Sequence, residues 1–589
     1  MLFRSGVSAK NGVLTYELNQ PADFFPTMLT YTPYTPINSH FYAAHKNDYG
    51  TKKDTILYCG PFLLDDFTSQ NVTYKKNPNY WDADAVKIDT VQYSVADASL
   101  GASDQRTAFD EGRVDGFGLS IEDSVGWDMY IKGSDGTGTI QNPASDLVNN
   151  RELDDVDYTY HAVLNQNRAI NSNSYKNSAF YARTGWGSDK IEADIANTNK
   201  ALKLRELRKL VLEGIDLATF NEHYKAPERD QYQINTFTPR GYVYDGAGVD
   251  YVDYYYAYYA EQKGLAASTD TFATKVEAGK AAVGPQQIAG VNLTNDANIL
   301  AKYPWLSADL AANRAKQAVN LYNDAHSSDP ITLPINIEYL GIGAISGTVD
   351  ANEKAVVNLW NERANGCAIN ASRAQATGLP TCKDAYGTDD YPYFYLRLSQ
   401  SASQDKLSDS ANNGYYSIYT GWGWVGDYAD PLTYMHCYVT DGEMSKMSGN
   451  NDVNALNYRL SEDGTTLTEE KLFESYNAAC DAANEERSST TTRYQEFAKV
   501  EYQLLNDLYI IRPLAMYTQG WTASVSRAAG YENPKAHYGL ADHILKGMWV
   551  LVDVPTGAER KDCRDRHEIK EKEALAAVGG NAVNGAFDN

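Results

Sequence analysis

The run Tyr415-Tyr416-Ser417-Ile418-Tyr419-Thr420-Gly421-Trp422-Gly423-Trp424-Val425-Gly426-Asp427-Tyr428-Ala429-Asp430-Pro431 constrains this chain more than any other segment. It is strand-like as far as Gly421, then glycine-rich and lined with large rings, with an acid at its end. Glycine lets another backbone approach closely. Trp and Tyr give wide apolar faces with a polar handle, suited to covering a ligand without demanding one side chain. A lone carboxylate beside such rings suits a cation such as an amine. From these residues alone, an immunoglobulin-like core strand and a sugar-stacking groove fit as well as a binding edge does.

Composition narrows the partners. With 52 basic against 77 acidic side chains the formal charge is −25, which argues against a nucleic-acid backbone as partner and against docking on an anionic leaflet. The 589 residues suggest roughly three or four domain-sized units with ample core. No window reaches the about 18 uninterrupted apolar residues of a membrane helix. Met1-Leu2-Phe3-Arg4-Ser5-Gly6 lacks the regions of a signal peptide, and a strand-like run, Gly12 to Leu18, follows almost at once. Residues 1–8 are therefore expected to be a non-native leader, with a short natural leader as the alternative. The six Cys include no CxxC or Cys/His ligand spacing. Cys367 and Cys382, across a Gly/Pro-containing loop, fit either one disulfide or two free buried thiols.

Along the chain, Asn71–Lys76 and Val86–Tyr93 alternate as half-buried strands around the turn Asn77-Pro78-Asn79. Residues 104–111 read as a helix ended by Gly112. Leu204, Leu207, Leu210 and Val211 share one helix face, with Arg and Lys on the other, and a second helix is expected from Asp216. The six Tyr of Tyr251 to Tyr259 read as an amphipathic helix with half-exposed phenols. Ser307 is placed to cap a helix reaching Asn323. A strand is expected over Ile331–Leu340, then helices over 353–364, 468–485 and 493–508, the last ended by Pro513. Strands follow at 514–517 and 548–554, then a charged helix over 559–575 and a tail from Gly579. The irregular alternation is α/β or α+β in more than one lobe.

Chemistry-bearing motifs are few. Gly341-Ile342-Gly343-Ala344-Ile345-Ser346-Gly347 has its last glycine one position late for a dinucleotide loop, and no phosphate loop, GxSxG elbow or HExxH pair occurs. His567-Glu568 reads as a solvated helix face, and Asp65-Asp66 and Asp389-Asp390 as surface turns.

Several motifs together resemble the family 5 extracellular solute-binding proteins of bacterial ABC importers, the oligopeptide- and dipeptide-binding proteins. They are Gly60-Pro61-Phe62, Lys75-Lys76-Asn77-Pro78-Asn79-Tyr80-Trp81-Asp82, Val86-Lys87-Ile88-Asp89 and Phe109-Asp110-Glu111-Gly112-Arg113-Val114-Asp115-Gly116. Leu207-Arg208-Lys209-Leu210 with Gly214-Ile215-Asp216, then Trp424-Val425-Gly426-Asp427-Tyr428, then Arg493-Tyr494 with Ala498, Glu501, Leu504 and Pro513 continue it. The resemblance covers about residues 13–555. It implies a two-lobed, type II periplasmic-binding-protein-like α/β fold with mixed sheets, closing on an extended peptide held by strand addition. It further implies that Gly423, Trp424 and Val425 offer the backbone edge, that Asp427 holds the peptide ammonium, and that Tyr517 lines the cleft. No catalytic residue, metal or cofactor is implied. The partners implied are an oligopeptide, a membrane permease and its ATPase. A monomer is expected, without nucleic acid, at the outer face of the cytoplasmic membrane or in the periplasm, and touching the membrane only through a lipid anchor this chain lacks.

Against the family pattern the sequence reads as N-terminally truncated. The first lobe, expected to be incomplete, is 9–164 with 516–575, the second, ligand-binding lobe is 165–515, and 576–589 is a flexible tail. Exposed sheet edges and apolar surface are expected where first-lobe strands would pair. The rival readings are a carbohydrate-active enzyme or sugar-binding protein using the aromatic groove, the same family with nickel, haem or sugar as cargo, and a surface-interaction protein that has lost transport.

Overall fold

A computed structural model describes residues 6–18, 22, 24–94, 102–120, 123–152, 158–215, 220, 232–233, 235–284, 286–287, 308–341, 347–516, 521–529, 545–577, 581–583 and 586–588. Its centre is a seven-stranded mixed sheet of β1 (Tyr158–Leu164), β2 (Tyr232–Gln233), β3 (Gln286–Gln287), β4 (Ile335–Leu340), β5 (Phe394–Ser399), β6 (Ile418–Val425) and β7 (Ile511–Met516), in the order β3-β2-β7-β1-β6-β4-β5. β4, β5 and β6 run parallel, while β1 is antiparallel to both β6 and β7.

Both faces of this sheet are covered, which is why its strands are apolar on consecutive residues rather than alternate ones. Successive side chains point to opposite faces: Ala162 and Leu164 enter one core, and Val163 the other. The first core is closed by α1 (Ser188–Leu202), α2 (Arg205–Glu213), α5 (Ala308–Ala325) and α6 (Gly347–Asn365). The second is closed by α3 (Tyr251–Gln262), α4 (Phe272–Val283), α7 (Leu472–Glu485) and α8 (Thr490–Gln503). The α2 face Leu207, Leu210 and Val211 is buried as its spacing predicts. Arg208, expected on the polar face, is buried as well. Its guanidinium donates to the carbonyls of Leu508 (2.7 Å) and Leu202 (2.8 Å) and to Asn457 Oδ1 (3.0 Å), and burial draws its pKa down to about 9.

The tyrosine helix also departs from expectation. Tyr251, Tyr254, Tyr255 and Tyr256 are buried rather than half exposed, because α3 is packed between α4 and α8 and its hydroxyls find partners there. Tyr251 donates to Glu501 Oε2 at 2.9 Å, and Tyr254 donates to Asp245 Oδ2 at 2.5 Å. Other boundaries move. Leu467–Glu470, expected as the start of a helix, pairs with Asn457–Leu460 as a hairpin, and α7 begins only at Leu472. Ser489, not Arg493, opens α8, accepting from Thr492 N. Pro513 lies inside β7, where the register shifts between Pro513 and Ala515, as a residue without an N–H requires. Val86 is buried in a loop and its strand is Thr90–Ser94. Only Trp549–Val550 of the expected 548–554 strand forms, and Asn581–Val583 pairs with Ala586–Asp588 where a tail was expected. Ser307, Asp216 and residues 342–346 lie outside the described residues.

Smaller sheets flank the centre. Phe62–Phe67, Asn71–Lys76 and Thr90–Ser94 form one; Gly116–Gly118, Trp521–Ser526 and Asn149–Glu152 form another, over a core of Phe109, Phe117, Trp127, Ile131 and Val525. In chain order Asn149–Glu152 of this last sheet is followed by β1 of the central one, and β7 of the central sheet by Trp521–Ser526. Phe67 and Tyr93 of the first small sheet are exposed, as is Trp81, at 81%. Asn77 makes the turn that precedes Trp81, its side chain donating to Gly60 O (2.8 Å) and accepting from Asn79 N (3.0 Å).

Cys367 and Cys382 form a disulfide, Cα atoms 4.9 Å apart, and both are buried with Tyr391. It closes a 15-residue separation, worth about 3 kcal/mol on chain-entropy grounds. Replacing both by Ser is expected to lower unfolding free energy by about that amount, and non-reducing mass spectrometry should show one linked peptide; two free thiols would refute the pairing.

Glu501 is buried and accepts from Phe237 N (2.7 Å), Thr238 N (3.1 Å), Thr238 Oγ1 (2.9 Å) and Tyr251 Oη (2.9 Å). Burial outweighs these bonds and pushes the carboxyl up from 4.5 to about 7. The native state therefore holds this proton more tightly than the unfolded chain, so its contribution is present below pH 4.5 and is lost as pH rises toward about 7. Glu501→Gln should flatten the fall in stability over that window in urea titrations; an unchanged slope would remove the carboxyl as its source.

Candidate functional site

β6 is paired unequally on its two sides. Toward β1 the register runs from Ile418↔Leu164 to Val425↔Tyr158, with an irregularity between Tyr419 and Trp422. Toward β4 it holds only at Tyr339↔Ile418 and Leu340↔Tyr419. From Thr420 to Val425 the strand has no partner on that side among the described residues. Gly423, Trp424 and Val425 occupy this half-open stretch, and Asp427 lies two residues past its end. Gly423 is buried, Trp424 half-buried, Val425 and Asp427 exposed. Tyr517 lies outside the described residues.

The glycines are there to admit rings. A Cβ on Gly423 would overlap the Tyr158 ring, one on Gly426 the Tyr242 hydroxyl, and one on Gly421 the Tyr419 hydroxyl. Tyr158 in turn packs against Tyr160, centroids 4.7 Å apart. Trp422 meets Tyr419 edge-on at 5.9 Å and donates from Nε1 to Tyr416 Oη at 3.2 Å. The backbone edge thus stays open while aromatic rings close over the strand.

The loop after β6 is anchored from below. Trp424 Nε1 donates to Thr433 O (2.8 Å), Asp427 N to Thr433 Oγ1 (2.9 Å) and Tyr242 Oη to Tyr428 O (2.8 Å). Asp430 takes a two-pronged bond from Arg493, Nε to Oδ2 at 2.7 Å and Nη2 to Oδ1 at 2.8 Å, with both side chains buried. Arg493 Nη1 also donates to Ala483 O and Asn484 O at the end of α7, so one guanidinium ties the loop to two helices. From the N-terminal side, Phe24 stacks on Tyr428 at 5.0 Å and Thr27 Oγ1 accepts from Ala429 N at 3.3 Å.

Asp427 itself has no cationic partner among the described residues. Desolvation, then the charge of Glu443, raises its pKa. Glu443 is engaged by His436, Nδ1 to Oε2 at 3.7 Å, which lowers the pKa of the Glu and raises that of the His. An anion held in this surrounding gains from an arriving ammonium. Sequence reasoning quoted Asp430 and Arg493 separately and missed their pairing, along with Tyr158, Tyr242, His436 and Glu443. Asp430, between Ala429 and Pro431 in a mostly apolar run, was the available signal.

Arg493→Met would leave Asp430 buried and unpaired, so a loss of about 3–5 kcal/mol is expected in denaturant unfolding; an unchanged midpoint would show that the pair does not anchor the loop.

Residues 5–126 match the family model described as bacterial extracellular solute-binding proteins, family 5 Middle. The oligopeptide-binding protein AmiA of Streptococcus pneumoniae is 22% identical over 95% of this chain and 72% of its own length. AliA of the same species, also an oligopeptide-binding protein, is 38% identical over 85 residues, 14% of this chain and 13% of that protein. Among solved structures, peptide-bound OppA of Listeria monocytogenes aligns with a TM-score of 0.50 and 16% identity over 92% of this chain and 75% of that one. The pheromone receptor PrgZ aligns with a TM-score of 0.50 and 14% identity over 93% and 75%. The fold is the two-lobed one of these binding proteins, and the match to family 5 of the bacterial extracellular solute-binding proteins rests on residues 5–126.

Proposed function

We propose that this chain is the substrate-capturing receptor of a bacterial ABC importer, closing its two lobes on extended oligopeptides. The observation that carries the reading is the strand edge Thr420–Val425, unpaired toward β4 and followed by Asp427, which has no cationic partner, both among the described residues. A peptide laid along it adds a strand, main-chain hydrogen bonds supplying affinity whatever the side chains. Gly423, Trp424 and Val425 give the edge, Asp427 holds the α-ammonium, and Tyr517 is assigned to the cleft wall on family grounds. The lobes are 9–164 with 516–575, and 165–515. Closure shifts an existing open–closed equilibrium through contacts made only when closed. The relatives' names, AmiA and AliA as oligopeptide-binding proteins, support the peptide as cargo. A permease and its ATPase would receive it. The disulfide supports an oxidising location outside the cytoplasm. No observation favours the carbohydrate reading.

A thermal-shift scan against di- to octapeptides, with oligosaccharides alongside, tests this. A ligand at 100 times its Kd adds about 2.7 kcal/mol, so peptides should raise the melting temperature and sugars should not. Asp427→Asn should weaken free-amine peptides about 10–100-fold, as loss of a charge-assisted bond would, and N-acetylated ones little. Equal losses would remove the ammonium role, and a response to sugars alone would overturn the peptide reading.

A further inference from the structure

On the far side of the central sheet, β5 is the outermost strand. Its outward backbone groups are already satisfied at one end by α6. Asn361 donates from Nδ2 to Leu396 O (3.3 Å) and accepts from Leu396 N (2.7 Å), and Asn365 donates to Phe394 O (3.0 Å). Beyond Leu396 a cleft of about 620 Å³ opens between α6, the short helix Ala179–Thr184 and β5. Three cations from three elements line it: Arg183, Lys354 and Arg397. No carboxylate belongs to its wall among the described residues, although the chain as a whole carries −25.

The two arginines are held in place. Arg183 Nη2 donates to Leu398 O at 2.9 Å. The Arg397 guanidinium lies 3.4 Å from the centroid of Tyr395 and 5.8 Å from that of Phe180, and its Nε donates to Asn336 Oδ1 at 2.9 Å. Asp194 accepts from Asn336 Nδ2 (2.8 Å) and Tyr181 Oη (3.0 Å), and Glu353 accepts from Gln400 Nε2 (2.9 Å); Asp390 acts on Arg397 only through its charge. Phe180, Tyr395 and Leu398 supply an apolar surface beside the charges.

We propose that this cleft is a second ligand site, distinct from the strand edge of β6, which takes a small organic anion: a phosphate or carboxylate group carried on a flat apolar body. The anion meets Arg183 and Lys354, while the body lies against the rings that fix Arg397. The site is two strands from β6, roughly 10 Å across the sheet, so occupancy does not compete with a ligand on the β6 edge.

Calorimetric titration of the whole chain with phenyl phosphate, benzoate and inorganic phosphate, at matched ionic strength, tests it. One saturable equivalent of phenyl phosphate or benzoate is expected, several-fold tighter than inorganic phosphate. Arg183→Gln/Lys354→Gln, both exposed positions, should weaken it about tenfold without lowering the melting temperature. Asp427→Asn should leave it unchanged. No saturable binding of any probe, or binding indifferent to the double substitution, would overturn the site. Equal affinity for inorganic phosphate would overturn the apolar part of the assignment.

Discussion

The unequal length of two neighbouring strands governs this molecule. β4 stops at Leu340 while β6 runs on to Val425, so one strand of a sheet covered on both faces is left with half an edge unpaired. An exposed edge is a liability that folded chains usually suppress. The same sheet shows the suppression elsewhere: along β5, Asn361 and Asn365 turn their amides onto the outward backbone groups and occupy them. Among the described residues β6 has no such seal. Instead its glycines admit Tyr158, Tyr419 and Tyr242 close against the chain, leaving the hydrogen-bonding edge of an otherwise packed strand available.

Around that edge the fold is tied by buried charges, each bonded to several acceptors. Arg493 holds Asp430 and the end of α7, Arg208 gathers carbonyls from the loops around α2, and Arg168 pairs with Glu338 beneath the sheet at 2.5 Å. Each is satisfied by several acceptors, the condition under which a buried cation does not penalise the fold. These arginines are scaffolding. The acid at Asp427 differs from all of them, being exposed, unmatched by a cation among the described residues, and beside a second carboxylate.

Much of this was legible in the sequence where the signal is local. The Gly-Trp run read as a ring-lined strand, the Asn-Pro-Asn turn formed, and the α2 stripe faced the core. The misses have one physical origin, because they depend on partners distant in sequence. The tyrosines of α3 look amphipathic until Glu501 and Asp245 arrive to take their hydroxyls. Arg208 looks exposed until Leu508, 300 positions away, supplies a carbonyl. The Leu467–Glu470 strand exists because Asn457–Leu460 lies opposite, whereas its own residues are as compatible with the helix that follows. Asp430 and Arg493 are 63 positions apart, and neither identifies the other.

The placement of Asp427 bears on how a peptide would be selected. A carboxylate already neutralised by a neighbouring arginine would offer an incoming amine only an exchange of partners. Here desolvation and Glu443 both raise its pKa, so the ion is at a disadvantage before any ligand arrives, and an ammonium removes that disadvantage. On the proposed reading the gain would be realised only with the amine at the Asp427 end of the edge, so it would orient the peptide as well as bind it. Strand pairing alone is indifferent to sequence and nearly so to position along the edge. On that reading a single charge two residues beyond the strand would fix the register that the backbone leaves open.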